Sequence, residues 1–162
     1  MSRASRIRKR AGKILPIFGE DDPTWAQLYA LYFGVGLTVT GIVGLFVDAD
    51  FSVGGHLESH SLGLFGVNGW HNLFHLAFGL LGLASFASPR RASGFALAWG
   101  SLAGVLLAWG VLSSYPVFGL IPADDGDNFL HIFDFSLGIG AWWASRRYEP
   151  QPATTKVLGS ER

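Results

Sequence analysis

Four long apolar stretches, separated by short polar ones, dominate the chain. They run over about residues 26–47, 64–87, 93–112 and 128–145, with the second starting at either Leu64 or Gly69. None contains an internal proline. Each is close to the ~20 helical residues that cross a hydrocarbon core of ~30 Å. The pattern predicts an all-α fold, a bundle of four transmembrane helices over residues 25–147. A basic segment (1–24) precedes it and a polar segment (148–162) follows. Buried helices of a water-soluble protein would give a similar pattern, but not with so few charges between them.

Composition strengthens the membrane reading. Only 15% of the residues are charged and 49% are hydrophobic, against roughly 25% charged in soluble domains. The 22 glycines would weaken helices in water, whereas small residues let membrane helices approach closely. The net charge is zero, which gives nucleic acid no electrostatic foothold. With no cysteine, disulfides, thiolate metal sites and catalytic thiols are excluded.

The zero net charge hides a segregation that sets orientation. All 12 basic residues fall in three places: Arg3 to Lys13, Arg90 with Arg91, and Arg146 to Arg162. The connections around 48–63 and 113–127 carry none, and hold Asp48, Asp50, Glu58, Asp124, Asp125 and Asp127 instead. By the positive-inside rule both termini are cytoplasmic, in a multi-pass membrane protein. The basic N-terminus is not read as a cleaved leader, because Glu20 to Pro23 separate it from a run long enough to span the bilayer. Trp25 and Tyr29, and at the far end Trp142, Trp143 and Tyr148, suit the aromatic belts at the interfaces.

Polar residues inside two of the runs carry the candidate chemistry. His71-Asn-Leu-Phe-His75 opens the second, and Asp127-Asn-Phe-Leu-His131 opens the fourth. Laid together without a gap, Asn72 matches Asn128, His75 matches His131 and Gly82 matches Gly138. This predicts two helical hairpins of the same orientation, a parallel repeat whose interface can form a site. His71 and His75 share one helix face, as do His131 and Asp134. His56 and His60 lie in the connection above.

Three readings follow. In the first, Asn72, His75, Asn128 and His131 form an interhelical polar motif that only packs the second and fourth helices. In the second, His71, His75, His131 and Asp134 offer nitrogen and oxygen ligands to Zn²⁺ or Cu²⁺, or His75 and His131 hold a haem from both sides. The third is a relay for protons or a path for a small solute through the same four residues. The packing reading leads, so no cofactor is expected. The acidic run at 124–127 is read as a helix cap, with Asp127 or Asn128 as the N-cap. Gly100 and Gly104 form a GxxxG pair suited to close helix packing. No phosphate loop, His-Glu-x-x-His or nucleophile elbow is present, which makes an enzyme the lesser expectation.

The segment Leu64–Gly82 together with Asp127–Gly140 resembles a family of small four-helix bacterial membrane proteins, commonest in actinobacteria and known only as a domain of unknown function. The resemblance rests on H-N-x-x-H and D-N-x-x-H and covers roughly residues 28–144. It implies a fold and a location in the bacterial cytoplasmic (inner) membrane but no activity. Asp134 stands where the family has an apolar residue. The expected role is a structural or accessory membrane component, in contact with lipid and assembling with itself or a larger membrane complex. The alternative is a protein that handles metal, protons or a small solute.

Overall fold

A computed structural model describes residues 22–54, 59–113 and 115–146. The basic N-terminal segment through Asp21, His56, Glu58, Tyr148 and the polar C-terminal segment lie outside those residues. The described residues form four long helices and one short β-hairpin.

Helix α1 spans Trp25–Val47. It starts at a capping box, in which the Thr24 side chain accepts from the Gln27 N–H and the Gln27 side chain accepts from the Thr24 N–H. Strands β1 (His60–Leu62) and β2 (Phe65–Val67) pair antiparallel, with Ser61 opposite Gly66. Gly63, at φ +67°, takes the first position of their two-residue turn, where a side chain would be strained. The apolar residues from Leu64 to Val67 therefore close a hairpin and do not begin a helix. Helix α2 instead spans Gly69–Ser85, with the Asn68 side chain accepting from the His71 N–H. Helix α3 spans Pro89–Leu112, opening on a proline that needs no N–H partner in the first turn. Helix α4 spans Asp125–Ser145. Its N-cap is Asp124, which accepts from the Asp127 N–H. The expected caps, Asp127 and Asn128, lie inside the first turn instead, because the helix starts earlier than its apolar run.

Packing is closest within two hairpins, α1 with α2 and α3 with α4. The hairpins meet mainly where α1 touches α3 and α4. The aromatic core lies between them, with Tyr29, Phe95 and Trp99 buried among Ala26, Ala30, Ala92 and Ala96. At the end of the bundle near residue 25, the Ala26 N–H donates to Ser145 Oγ (2.8 Å), and Arg146 lies over the rings of Trp142 and Trp143. At the other end the two long connections are stitched together. Gly54 N–H donates to Gly119 O (2.9 Å), Asn68 Nδ2 to Leu120 O (2.7 Å) and Gly66 N–H to Asp124 Oδ2 (2.6 Å).

The repeat extends to all four helices. A Cβ on Gly34 of α1 would press on the α2 backbone at Leu83 and Gly82, and one on Gly100 of α3 would press on α4 at Ile139 and Gly138. A Cβ on Gly82 would meet Ala30 O, and one on Gly138 would meet Ala96 O. Further along, Gly44 lies under Asn72 and Gly110 under Asn128, each so close that a methyl group would collide with the amide oxygen. The step from Gly34 to Gly44 is the step from Gly100 to Gly110. Asn68 and Asp124 are the matching N-caps.

Two helices, α1 and α3, are long and apolar enough to cross a membrane, with mean hydropathies of 2.0 and 1.9. Large apolar side chains point outward from all four helices, among them Phe46 on α1, Leu80 on α2, Val105 on α3 and Phe133 on α4.

Candidate functional site at the stitched end

The polar motif divides into two parts. The asparagines serve the hairpins internally: Asn72 is 1% exposed, lies against Gly44, and donates from Nδ2 to Asp48 O at 2.8 Å. Asn128 takes the same place against Gly110 of α3. They hold α2 to α1 and α4 to α3, where the sequence suggested a bond between α2 and α4. Packing in this bundle is within hairpins, so the nearest backbone is the hairpin partner. Gly100 and Gly104 likewise face α4, at Gly138 and the Phe135 ring.

The histidines form a chain. His71 Nδ1 stands 3.0 Å from Gly66 O, and His71 Nε2 stands 3.1 Å from His75 Nε2. His75 Nδ1 is in turn 3.4 Å from Thr40 Oγ1. A carbonyl can only accept, so His71 carries its proton on Nδ1. Neutral His71 then accepts at Nε2, which puts the His75 proton on Nε2 and leaves His75 Nδ1 an acceptor 3.4 Å from the Thr40 hydroxyl, whose one proton also has Gly36 O (2.9 Å) and Leu37 O (3.1 Å) within reach. One backbone oxygen thus sets the tautomer of both rings.

The equivalent pair on α4 is open. Asp127 matches His71 and His131 matches His75. Asp127 is 5% exposed, yet its Oδ2 has no hydrogen-bond partner, and neither has the buried His131 Nδ1. His71 Nδ1 stands 3.9 Å from Asp127 Oδ2, but that nitrogen already serves Gly66. A chamber of about 20 Å³ lies between the two pairs, bounded by His71, His75, Asp127 and His131 among others. His75, Asp127 and His131 also line a larger cleft of about 240 Å³ beside α1.

Asp134, expected in the histidine cluster, lines the larger cleft with His75 and His131 and directs its carboxylate to Trp99. Its Oδ2 accepts from Trp99 Nε1 (3.2 Å) and its backbone oxygen accepts from Tyr29 OH (3.1 Å), so it ties α4 to the aromatic core while forming part of the cleft wall. Asp127 takes its place beside the histidines. The alignment of D-N-x-x-H on H-N-x-x-H already put Asp127 opposite His71, and its reading as a cap concealed this.

Among the described residues, no group of three or more His, Asp or Glu side chains could hold a metal ion. His71 and His75 bring two ring nitrogens face to face without a third ligand. For a haem held by His75 and His131, His75 Nε2 would first have to leave His71 Nε2, 3.1 Å away. Ser113 and Tyr115 serve the connection: Tyr115 N–H donates to Ser113 Oγ and Tyr115 O accepts from Trp109 Nε1.

Above α1, Asp48 anchors the first connection. Its carboxylate accepts from the Asp50 N–H (2.7 Å) and the His60 N–H (3.1 Å), and its Oδ2 is 2.8 Å from His60 Nδ1. Burial pushes its pKa up, but these hydrogen bonds and the His60 charge outweigh it and hold the group below the usual carboxylate range.

No curated protein and no solved structure matches the chain. One family does, over residues 27–142, which takes in all four helices as far as Trp142 and both polar motifs. The chain belongs to the family described as Domain of unknown function (DUF4383).

Proposed function

We propose that this chain is an integral membrane protein that crosses the bilayer four times with both termini cytoplasmic, and that it acts as a structural or accessory membrane component. The observation that carries the reading is the doubled clasp: Gly34–Gly82 with Gly44–Asn72, and Gly100–Gly138 with Gly110–Asn128. Backbone approach at small residues is how helices associate where lipid removes the hydrophobic drive between them. The outward apolar side chains of all four helices suit a lipid surround. At a rise of 1.5 Å per residue, the 17 residues of α2 reach ~26 Å and the 21 of α4 reach ~32 Å, near the core thickness. The acidic start of α4 then lies at the outer interface, with Arg90, Arg91 and Arg146 at the inner one.

A second reading, proton or small-solute handling, is favoured by one observation: the linked rings of His71 and His75 face an acid, Asp127, whose Oδ2 is unpartnered. Intramembrane ionisable groups are costly and commonly mark such paths.

Because the chain has no native cysteine, single-cysteine variants test the topology directly. With four spans, S61C and Y115C label from outside intact cells and R90C labels only after permeabilisation. If only α1 and α3 cross, R90C becomes accessible and Y115C becomes protected, which would overturn the four-span reading.

A further inference from the structure

The connection between α3 and α4 is more apolar than a turn in water needs to be. Residues 115–123 read YPVFGLIPA, with no charged side chain and the Tyr115 hydroxyl as the one polar side-chain group. A connection over water is ordinarily built with polar turn residues such as Asn, Asp and Ser. Here Tyr115 and Phe118 are 77% and 76% exposed. Phe118 also adopts φ +52°, a left-handed conformation that bulky side chains rarely take. Such a position persists only where its surroundings over-determine it. They do so from beneath: Val117 is buried and bridges to Ile121, Gly119 O accepts from Gly54 N–H, and Leu120 O accepts from Asn68 Nδ2. The fold holds the Phe118 ring outward against its backbone preference.

Two observations identify what that ring meets. The first is direction. Val105, Trp109 and Leu112 lie four and three residues apart, so they share one face of α3, and Val105 and Leu112 are exposed on it. The Phe118 ring lies 5.6 Å from the Trp109 ring, and Trp109 Nε1 donates to Tyr115 O at 3.0 Å. Trp109 precedes the end of α3 by three residues, about 4.5 Å along the axis. The turn therefore folds back beside the last turn of α3 and continues its apolar outer face.

The second is the backbone. The N–H groups of Tyr115, Val117, Gly119, Leu120 and Ile121 all donate within the connection, to Ser113 Oγ, Ile121 O, Pro116 O and Val117 O. Pro116 and Pro122 have no N–H to satisfy. Internal pairing of this kind is what a non-helical segment requires when it leaves water.

From these features we infer that residues 115–123 form a lipid-binding surface, seated in the interfacial layer of the leaflet that α3 reaches at Leu112. Phe118 turns to the acyl chains and the Tyr115 hydroxyl keeps to the hydrated edge, the arrangement that suits aromatic side chains at an interface. With no Lys or Arg in the connection, the surface takes zwitterionic lipid and has no call for anionic headgroups. It rests on the crossing of the bilayer by α3, which the four-span and two-span arrangements share.

Single-cysteine variants F118C, V105C and S61C, each carrying a nitroxide in phosphatidylcholine nanodiscs, report what surrounds each position. Molecular oxygen concentrates in lipid and a nickel chelate in water, so spin relaxation by each separates the two media. The oxygen-to-nickel ratio at 118 is expected to be several-fold above that at 61 and close to that at 105. A ratio at 118 equal to that at 61 would overturn the assignment in favour of a connection in water. Low access of both reagents to 118 would overturn it in favour of a protein partner or a second copy. A water-like ratio at 105 would overturn the crossing of α3, and this surface with it, so the two failures are told apart. The native ring gives a check without a label: cross-relaxation from lipid acyl protons to ring protons that vanish in F118L is expected, and its absence would also overturn the assignment.

Discussion

The two hairpins are built alike and finished differently. Each has a glycine-to-glycine approach near its middle, an asparagine set over a glycine near its end, and a capped start to its second helix. In the first hairpin the next polar pair is closed: His71 bonds His75, with Gly66 O at one end and Thr40 at the other. In the second, the equivalent Asp127 and His131 leave Oδ2 and Nδ1 without partners. The scaffold therefore resides in the glycines and asparagines, and the remaining polar pair is free to differ. A duplicated unit can retain its packing in both copies and specialise in one.

The largest effects should test the shared scaffold. G44A and G110A each drive a methyl group into an asparagine side chain, and overpacking of this kind costs about 1–3 kcal/mol. Thermal unfolding in detergent should show both variants well below the wild type. G36A, on the open face of the same α1 helix, should leave the melting temperature unchanged or raise it, since alanine favours a helix more than glycine does. Comparable losses for G36A and G44A would remove the clasp from the account.

The difference between the hairpins is tested one step down in size. H75L strands His71 Nε2 and should cost about 1–2 kcal/mol, the scale of a buried polar group left without its hydrogen bond. H131L removes a ring whose Nδ1 has no partner and should cost distinctly less. Equal losses would mean that both pairs are closed in the same sense.

The smallest effect belongs to the connection above the first hairpin. The Asp48 carboxyl is held below its ordinary value, so its contribution to stability is fully present above the unfolded value of about 4 and is lost as pH falls through the lower folded one. Melting temperatures measured from pH 6 downward should fall less steeply in D48N than in the wild type. Parallel curves would show that the contacts to Asp50 and His60 contribute nothing.

Much of this organisation is written in the chain, but unevenly. The four runs are legible because outward-facing and core-facing positions are both apolar, which leaves few interruptions. The half of the repeat on α2 and α4 shows because asparagine and histidine are rare at such positions. Its other half, on α1 and α3, is carried by Ala26, Ala30, Gly34 and Gly44 against Ala92, Ala96, Gly100 and Gly110, and matches between alanines and glycines carry little signal in a chain with 22 glycines. The start of α2 was misjudged at Leu64 because periodicity cannot distinguish a three-residue strand from a first helical turn. Asp127 was taken for a cap because α4 begins before its apolar run does. Asp134 was grouped with the histidines by spacing alone, and only the position of Trp99 shows where its carboxylate goes.

The seating of Asn72 over Gly44 and Asn128 over Gly110 also has a mechanical side. Smooth apolar surfaces can slide or roll on one another with little penalty. A side chain lodged in a notch on the neighbouring backbone, with a second glycine contact farther along, blocks both motions at once. Each helix pair then behaves as one stiff lever, and relative movement falls to the seam between the levers. That seam runs between α1 on one side and α3 and α4 on the other.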